Sequence, residues 1–120
     1  MKYFKPNEFN CPCGECELGY THMQDEALEK LDDARRRAGV PFILTSAMRC
    51  EKHNRETGGS FGSAHLDGWG FDIRTSNAHS RMKIFFGLVN AGFNRIGVYE
   101  HHIHADCDPT KIPEVCWLRD

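Results

Sequence analysis

The stretch SAHLDGWGFDI, residues 63–73, places a turn directly before a strand. Asp67-Gly68 is a turn dipeptide, and the apolar and aromatic residues after it favour a short strand. A turn followed by a strand can bring the side chains of His65 and Asp72 to one point. Imidazole and carboxylate are both good zinc ligands, so this stretch predicts two ligands of a metal site.

Upstream of this turn, the sequence predicts a helix and a strand. Thr21 and Gln24 have the spacing of a capping box at a helix start. Gly39 has the position of a C-terminal stop. PFILTSA (41–47) reads as a short buried strand, and a helical turn is expected just after it. The apolar stripe of the helix is expected to comprise Ala27, Leu28, Leu31, Ala34 and Ala38.

Downstream, a second amphipathic helix is predicted from about Asn77 to Ala91, with Gly92 as its stop. Two short strands follow, RIGVYE (95–100) and HHIHADC (101–107), which could form a hairpin. The buried stripe of this helix is expected to comprise Ile84, Phe85, Leu88 and Val89.

This order of elements has no regular βαβ alternation. It therefore favours an α+β fold with a small, mainly antiparallel sheet and two main helices. The length of 120 residues fits a single domain, 1–120, with the cysteine-containing segment 1–20 packed on it.

Composition excludes several classes of protein. Hydrophobic residues make up 40% and charged residues 27%, and the formal net charge is −2, which does not favour nucleic-acid binding. No stretch is apolar enough to span a membrane, and the first residues show no secretory signal. We therefore expect cytoplasmic synthesis, with any action outside the cell depending on release by other means.

A third metal ligand is available from the last predicted strand. Alternate residues of an extended chain share a face, so Glu100, His102, His104 and Asp106 are expected to project to one side. Four titratable groups on one face resemble the wall of a polar cleft. A metal held by three protein ligands keeps a fourth position for water, as in catalytic zinc sites.

Three segments together resemble a known family. They are S46-A-M-R49…H53-N54, S63-A-H-L-D-G-W-G-F-D72 and I103-H-A-D106. They resemble the zinc D-Ala-D-Ala carboxypeptidases and L-alanyl-D-glutamate endopeptidases of bacterial cell-wall peptides, which include many single-domain phage lysins. The fold of that family is shared with the signalling domain of hedgehog proteins. The resemblance runs from about residue 21 to the end.

The resemblance implies roles for individual residues. His65, Asp72 and His104 match the zinc ligands of the family. Arg49 matches the arginine that binds substrate near the scissile bond, a task that suits the paired donors of a guanidinium. A structural salt bridge is the less favoured interpretation of Arg49.

The general base is left open by the same resemblance, and the candidates are Glu100, His101, His102 and Asp106. Many relatives carry an acidic residue three positions before the last ligand, where this chain has His101. His102 matches a histidine that contacts the transition state in some relatives. Asp106 is expected to act as the base or to orient His104. Glu100 is the reserve base.

The chain also has six cysteines. Cys11, Cys13 and Cys16 could begin a second, structural zinc site, with Cys50, Cys107 or Cys116 as the fourth ligand. Free thiols, or disulfides formed after release from the cell, are the alternatives.

The function expected from these observations is zinc-dependent hydrolysis of a peptide bond in peptidoglycan stem peptides, by a monomer. The enzyme would act on the cell wall, either released by lysis or carried in a phage particle. The alternative is a catalytically inactive zinc module that binds the wall or serves as a phage tail-associated part.

Overall fold

The computed structural model describes residues 1–119 and contains three α-helices and five strands. The helices are α1 (Asp25–Ala38), α2 (Glu51–Glu56) and α3 (Ala78–Ala91). The strands are β1 (Leu44–Ser46), β2 (Gly70–Arg74), β3 (Arg95–Val98), β4 (His102–Asp106) and β5 (Val115–Leu118). Short 3-10 turns cover Pro6–Phe9, Tyr20–His22 and Ala64–Asp67. The expected α+β class is confirmed.

The strands form one sheet in the order β1-β2-β4-β3-β5. The first three pairings are antiparallel, and β5 pairs with β3 in parallel. The predicted hairpin of β3 and β4 is present, whereas β5 was not foreseen. No helix in residues 1–119 combines the length and apolar character needed to cross a membrane.

The stripe foreseen for α1 is buried, and Gly39 ends the helix in the left-handed conformation with φ of 70°. The predicted capping box is wrong. Thr21 lies in a separate 3-10 turn, and Gln24 makes no side-chain cap. Instead, the Gln24 amide donates a hydrogen bond of 3.0 Å to the carbonyl of Asp67. The start of α1 is therefore fixed to the turn that carries His65.

The α3 helix begins after Asn77, whose side chain accepts a 2.8 Å hydrogen bond from the Ser80 amide. Its buried face is rotated from the predicted stripe. Ile84 and Leu88 are buried as expected, but Val89 is 47% exposed. The difference arises because Gly87 faces α1, so α3 approaches α1 along its glycine side.

The N-terminal segment contributes to the core. Phe9 is fully buried and meets the Phe71 ring edge-on, with centroids 6.1 Å apart. The Met48 amide donates a hydrogen bond of 3.3 Å to the carbonyl of Phe9. These contacts hold the segment against β2 and against the chain that follows β1.

We predict that Gly87→Ala destabilises the protein. Alanine in a helix normally gains about 1 kcal/mol over glycine. Here the new Cβ would lie 2.5 Å from the Ala34 carbonyl oxygen and 2.9 Å from the Ala38 Cβ. Overpacking of this kind costs about 1–3 kcal/mol, so we expect a net loss of about 1 kcal/mol in the free energy of unfolding.

Denaturant unfolding followed by circular dichroism measures this change. The control is Met82→Ala, which places alanine at an exposed position of the same helix. A Gly87→Ala variant more stable than the parent protein would contradict the close approach of α1 and α3.

Candidate metal centre

Ligand atoms of His65, Asp72 and His104 lie within 4.8 Å of one another. His65 comes from the 3-10 turn before β2, and Asp72 lies within β2. His104 on β4 is the direct cross-strand partner of Asp72. The structure thus brings together the three residues that the sequence nominated as metal ligands.

The orientation of His65 is set by a backbone carbonyl. Its Nδ1 lies 2.7 Å from the oxygen of Ala47, and since a carbonyl can only accept, Nδ1 carries a proton. The lone pair of Nε2 therefore points to Asp72 Oδ1, 3.2 Å away. His65 is 2% exposed, and this burial lowers its pKa. It is thereby kept as the neutral imidazole that a metal requires.

The orientation of His104 is set by a carboxylate. Its Nε2 lies 2.6 Å from Asp106 Oδ2, and its Nδ1 lies 3.0 Å from Asp72 Oδ1. Burial acts to lower the pKa of His104, but the hydrogen bonds with Asp106 and Asp72 outweigh it and raise the pKa. With Nε2–H donating to Asp106, Nδ1 is the nitrogen available to a metal, which would take the place of its proton.

The two oxygens of Asp72 have different partners. Oδ1 faces both histidines, and Oδ2 accepts a 2.9 Å hydrogen bond from Arg49 Nη2. Burial acts to raise the pKa of Asp72, but the hydrogen bonds with His104 and His65 outweigh it and lower the pKa well below its usual range. Asp72 is therefore a carboxylate with one oxygen held by Arg49 and the other directed at the histidines.

The salt bridge that sequence analysis disfavoured for Arg49 is thus present. The guanidinium also donates to Ser46 Oγ at 2.9 Å and to Asn54 Oδ1 at 3.2 Å. Arg49 nevertheless borders the cleft described below. It can therefore fix the Asp72 carboxylate and also present part of its guanidinium to the cleft.

The three converging donors fit a divalent metal. His65 Nε2 and His104 Nδ1 both lie close to Asp72 Oδ1, and donor atoms this close together are stabilised by a proton or a cation between them. Two histidines and one carboxylate form a known catalytic donor set for zinc, and three protein ligands leave a further position open.

The three candidate ligands His65, Asp72 and His104, here called the metal-binding group for the role we test below, form part of the wall of a cleft of about 290 Å³. Tyr99, His102 and Trp117 also contribute to the lining. The His102 ring stacks on Tyr99 with centroids 4.3 Å apart and planes 10° apart. Its Nε2 lies 4.0 Å from Asp72 Oδ1, and partial burial lowers its pKa.

The late strand β5 supplies the far side of this cleft. The Trp117 indole N–H donates a 3.1 Å hydrogen bond to the Tyr99 hydroxyl. The indole covers Gly97 so closely that a Cβ there would lie 2.3 Å from Nε1. Tyr99 and Trp117 were not nominated as site residues, and only the parallel pairing of β3 with β5 brings them together.

Glu100 does not share a face with His102, His104 and Asp106, so that part of the prediction is wrong. It lies in the turn between β3 and β4, where the chain is no longer extended. Its side chain is 73% exposed and lies 3.6 Å from that of His101, which is also exposed. Glu100 is absent from the residues that line the cleft within the described part of the chain.

Asp106 lies behind His104 rather than beside Asp72. It is 1% exposed, and its Oδ2 is occupied by His104 Nε2. Its Oδ1 forms an ion pair of 3.0 Å with Arg95 and accepts a 3.1 Å hydrogen bond from the Asp108 amide. Arg95 was missed from sequence, although its cross-strand position opposite Asp106 follows from the hairpin register.

The cysteines divide into two groups. One group comprises Cys11, Cys13, Cys16 and Cys50. Of the three cysteines considered as a fourth ligand, Cys50 is therefore the one that joins the N-terminal cysteines. Cys107 and Cys116 are not members of this cluster. The cluster lies outside the lining of the cleft.

Comparison with known proteins identifies a family for this chain. A family model described as Peptidase M15 matches residues 2–108, which is most of the chain. A search of curated proteins finds no match.

We predict that Asp106→Asn weakens metal binding by about 10- to 100-fold, as is typical when a group that orients a ligand is altered. Asparagine keeps the shape of the side chain but removes the charge that supports His104. Competition with a chromophoric chelator measures the dissociation constant. Glu100→Gln is the control, since Glu100 lies outside the cleft. If Asp106→Asn and Glu100→Gln bind the metal with equal affinity, Asp106 does not support metal binding through His104.

Proposed function

Because the chain belongs to the peptidase M15 family, we propose that it is a zinc-dependent peptidase that hydrolyses a peptide bond in the stem peptides of bacterial peptidoglycan. The observation that carries the proposal is the convergence of His65, Asp72 and His104 in the wall of an open cleft. Either the D-Ala-D-Ala bond or the L-Ala-D-Glu bond is a suitable target.

His65, Asp72 and His104 would hold the zinc ion. Zinc in such a site supplies Lewis acidity, which polarises a carbonyl group and acidifies water. The protein keeps the three donors in place through the Ala47 carbonyl, Arg49 and Asp106. Catalysis benefits because donors fixed in advance need no rearrangement when charge develops.

We assign the proton-transfer role to His102. Two carboxylates line the cleft within residues 1–119, Asp72 and Asp106, and both are engaged on each oxygen. His102 Nε2 faces the metal-binding group, and the Tyr99 stack holds the ring in place. An imidazole at this position can accept a proton from water and return it to the leaving amine.

Arg49 would bind the substrate carbonyl or a nearby carboxylate. Its guanidinium is fixed by Ser46 and Asn54, so it is held in one orientation at the edge of the cleft. Arg119 adds further positive charge to the lining, whereas Lys111, which also lines it, is paired with Asp108 at 2.7 Å. This basic character favours peptides with free carboxylates, which stem peptides carry.

The biological setting proposed here rests on family likeness. A monomeric enzyme of this type would reach the cell wall after lysis or as part of a phage particle. One observation favours the second candidate, an inactive zinc-containing module that binds the wall or a phage tail. No carboxylate within the described residues is free to serve as a base beside the metal-binding group.

The first test is incubation of the purified protein with defined stem peptides, followed by mass analysis of the products. We expect one peptide bond to be cut, cleavage to stop on treatment with a chelator, and zinc to restore it. Both target bonds are offered in separate peptides. Peptides that bind but remain intact under every metal loading would favour the inactive module.

The second test separates His102 from Glu100. We expect His102→Gln to lower kcat by about 10²- to 10⁴-fold, the usual contribution of general acid–base catalysis. Glu100→Gln should retain the parent rate, and both variants should retain zinc. If Glu100→Gln loses activity while His102→Gln keeps it, the assignment of the base is reversed.

A further inference from the structure

Four cysteines from two separate parts of the chain meet beside α2. Cys11, Cys13 and Cys16 lie in the N-terminal segment, and Cys50 is the residue that caps α2. Their sulfur atoms all lie within 4.8 Å of one another. We propose that these four cysteines bind a second, structural Zn²⁺ ion, which clamps the N-terminal segment to the start of α2.

The spacing of the sulfur atoms suits a tetrahedral ion. Cys13 Sγ lies 3.4 Å from Cys16 Sγ, and Cys11 Sγ lies 3.8 Å from Cys50 Sγ. Four thiolates at the usual Zn–S distance stand about 3.8 Å apart, whereas bonded sulfurs in a disulfide are about 2.05 Å apart. The distances between the sulfur atoms therefore match one ion that is bound by all four cysteines.

Backbone amides support the sulfur atoms as anions. Cys13 Sγ accepts N–H groups of Glu15 and Cys16, both at 3.3 Å. Cys11 Sγ accepts the Cys50 amide at 3.4 Å, and Cys50 Sγ accepts the His53 amide at 3.4 Å. Amide donors of this kind orient metal thiolates and stabilise their charge. Binding of the ion releases the thiol protons to solvent.

The ligand set indicates the metal and its role. Four soft thiolates select zinc over magnesium or calcium. They also fill a tetrahedral coordination sphere, which leaves no position for substrate or water, so the site is structural. The ion would join the same two segments as the ion pair between Lys52 and Glu15, whose atoms are 2.7 Å apart.

The four-cysteine site is also connected to the site of His65, Asp72 and His104 through neighbouring residues of the chain. Cys50 follows Arg49, and the Arg49 amide donates a hydrogen bond of 3.2 Å to the His65 carbonyl. A metal at Cys50 therefore restrains the backbone that positions Arg49. The inference does not depend on peptidase activity, since the four cysteines are outside the cleft lining.

The first experiment measures zinc content per chain after purification in reducing buffer. We expect about two zinc ions in the parent protein, about one in Cys13→Ser and about one in His65→Ala. Cys116→Ser, which alters a cysteine outside the cluster, should keep both. If Cys13→Ser retains the zinc content of the parent, or His65→Ala contains none, the second site does not exist.

A second measurement uses the unaltered protein and so does not depend on a variant folding. Cys13 and Cys16 are half-buried, and Cys116 is exposed. With zinc bound, we expect iodoacetamide to label Cys116 while the cluster is protected, and a chelator to abolish that protection. Labelling of Cys13 and Cys16 at the same rate before and after chelation, or a mass showing disulfides in the zinc-loaded protein, overturns the proposal.

The third measurement separates this site from the proposed catalytic one. In His65→Ala, a chelator should still lower the melting temperature, because the structural ion remains to be removed. In Cys13→Ser, a chelator should no longer expose Cys11 and Cys50 to labelling. Failure of peptide cleavage alone would count against the catalytic proposal and leave these results unchanged.

Discussion

The structure depends on one buried negative charge, that of Asp72. A carboxylate removed from water is costly unless each oxygen is paired. Here one oxygen is held by Arg49 and the other faces His65 and His104. This requirement fixes several elements at once, because the pairing residues come from the turn before β2, from β4 and from the chain after β1. The metal centre and the packing of the sheet therefore satisfy the same constraint.

Sequence reasoning succeeded where local patterns carry the information. Helical periodicity located α1 and α3, and the left-handed glycines at Gly39 and Gly92 ended them as expected. The turn at Asp67-Gly68 lies between His65 and Asp72, and β2, which follows it, carries Asp72. The cross-strand partnership of Asp72 with His104 required only the correct hairpin.

Sequence reasoning failed where long-range contacts decide the outcome. Gly87 turned α3 toward α1 and left Val89 exposed, although the spacing of Val89 suits a core position. The alternation of side chains along an extended strand predicted that Glu100 faces the cleft, but the chain turns before β4 begins. Cys50 could not be chosen over Cys107 and Cys116, since the choice depends on how the N-terminal segment returns to α2. The errors at Val89 and Cys50 involve residues far apart in sequence, whereas the error at Glu100 comes from a local turn.

Trp117 connects β5 to the position of His102 in the cleft. Its indole covers Gly97 and holds Tyr99, on which His102 stacks. It belongs to β5, which pairs in parallel with β3. Loss of the β5 pairing would therefore release Tyr99 and the His102 ring stacked on it, while His65, Asp72 and His104 keep their places in the turn, β2 and β4.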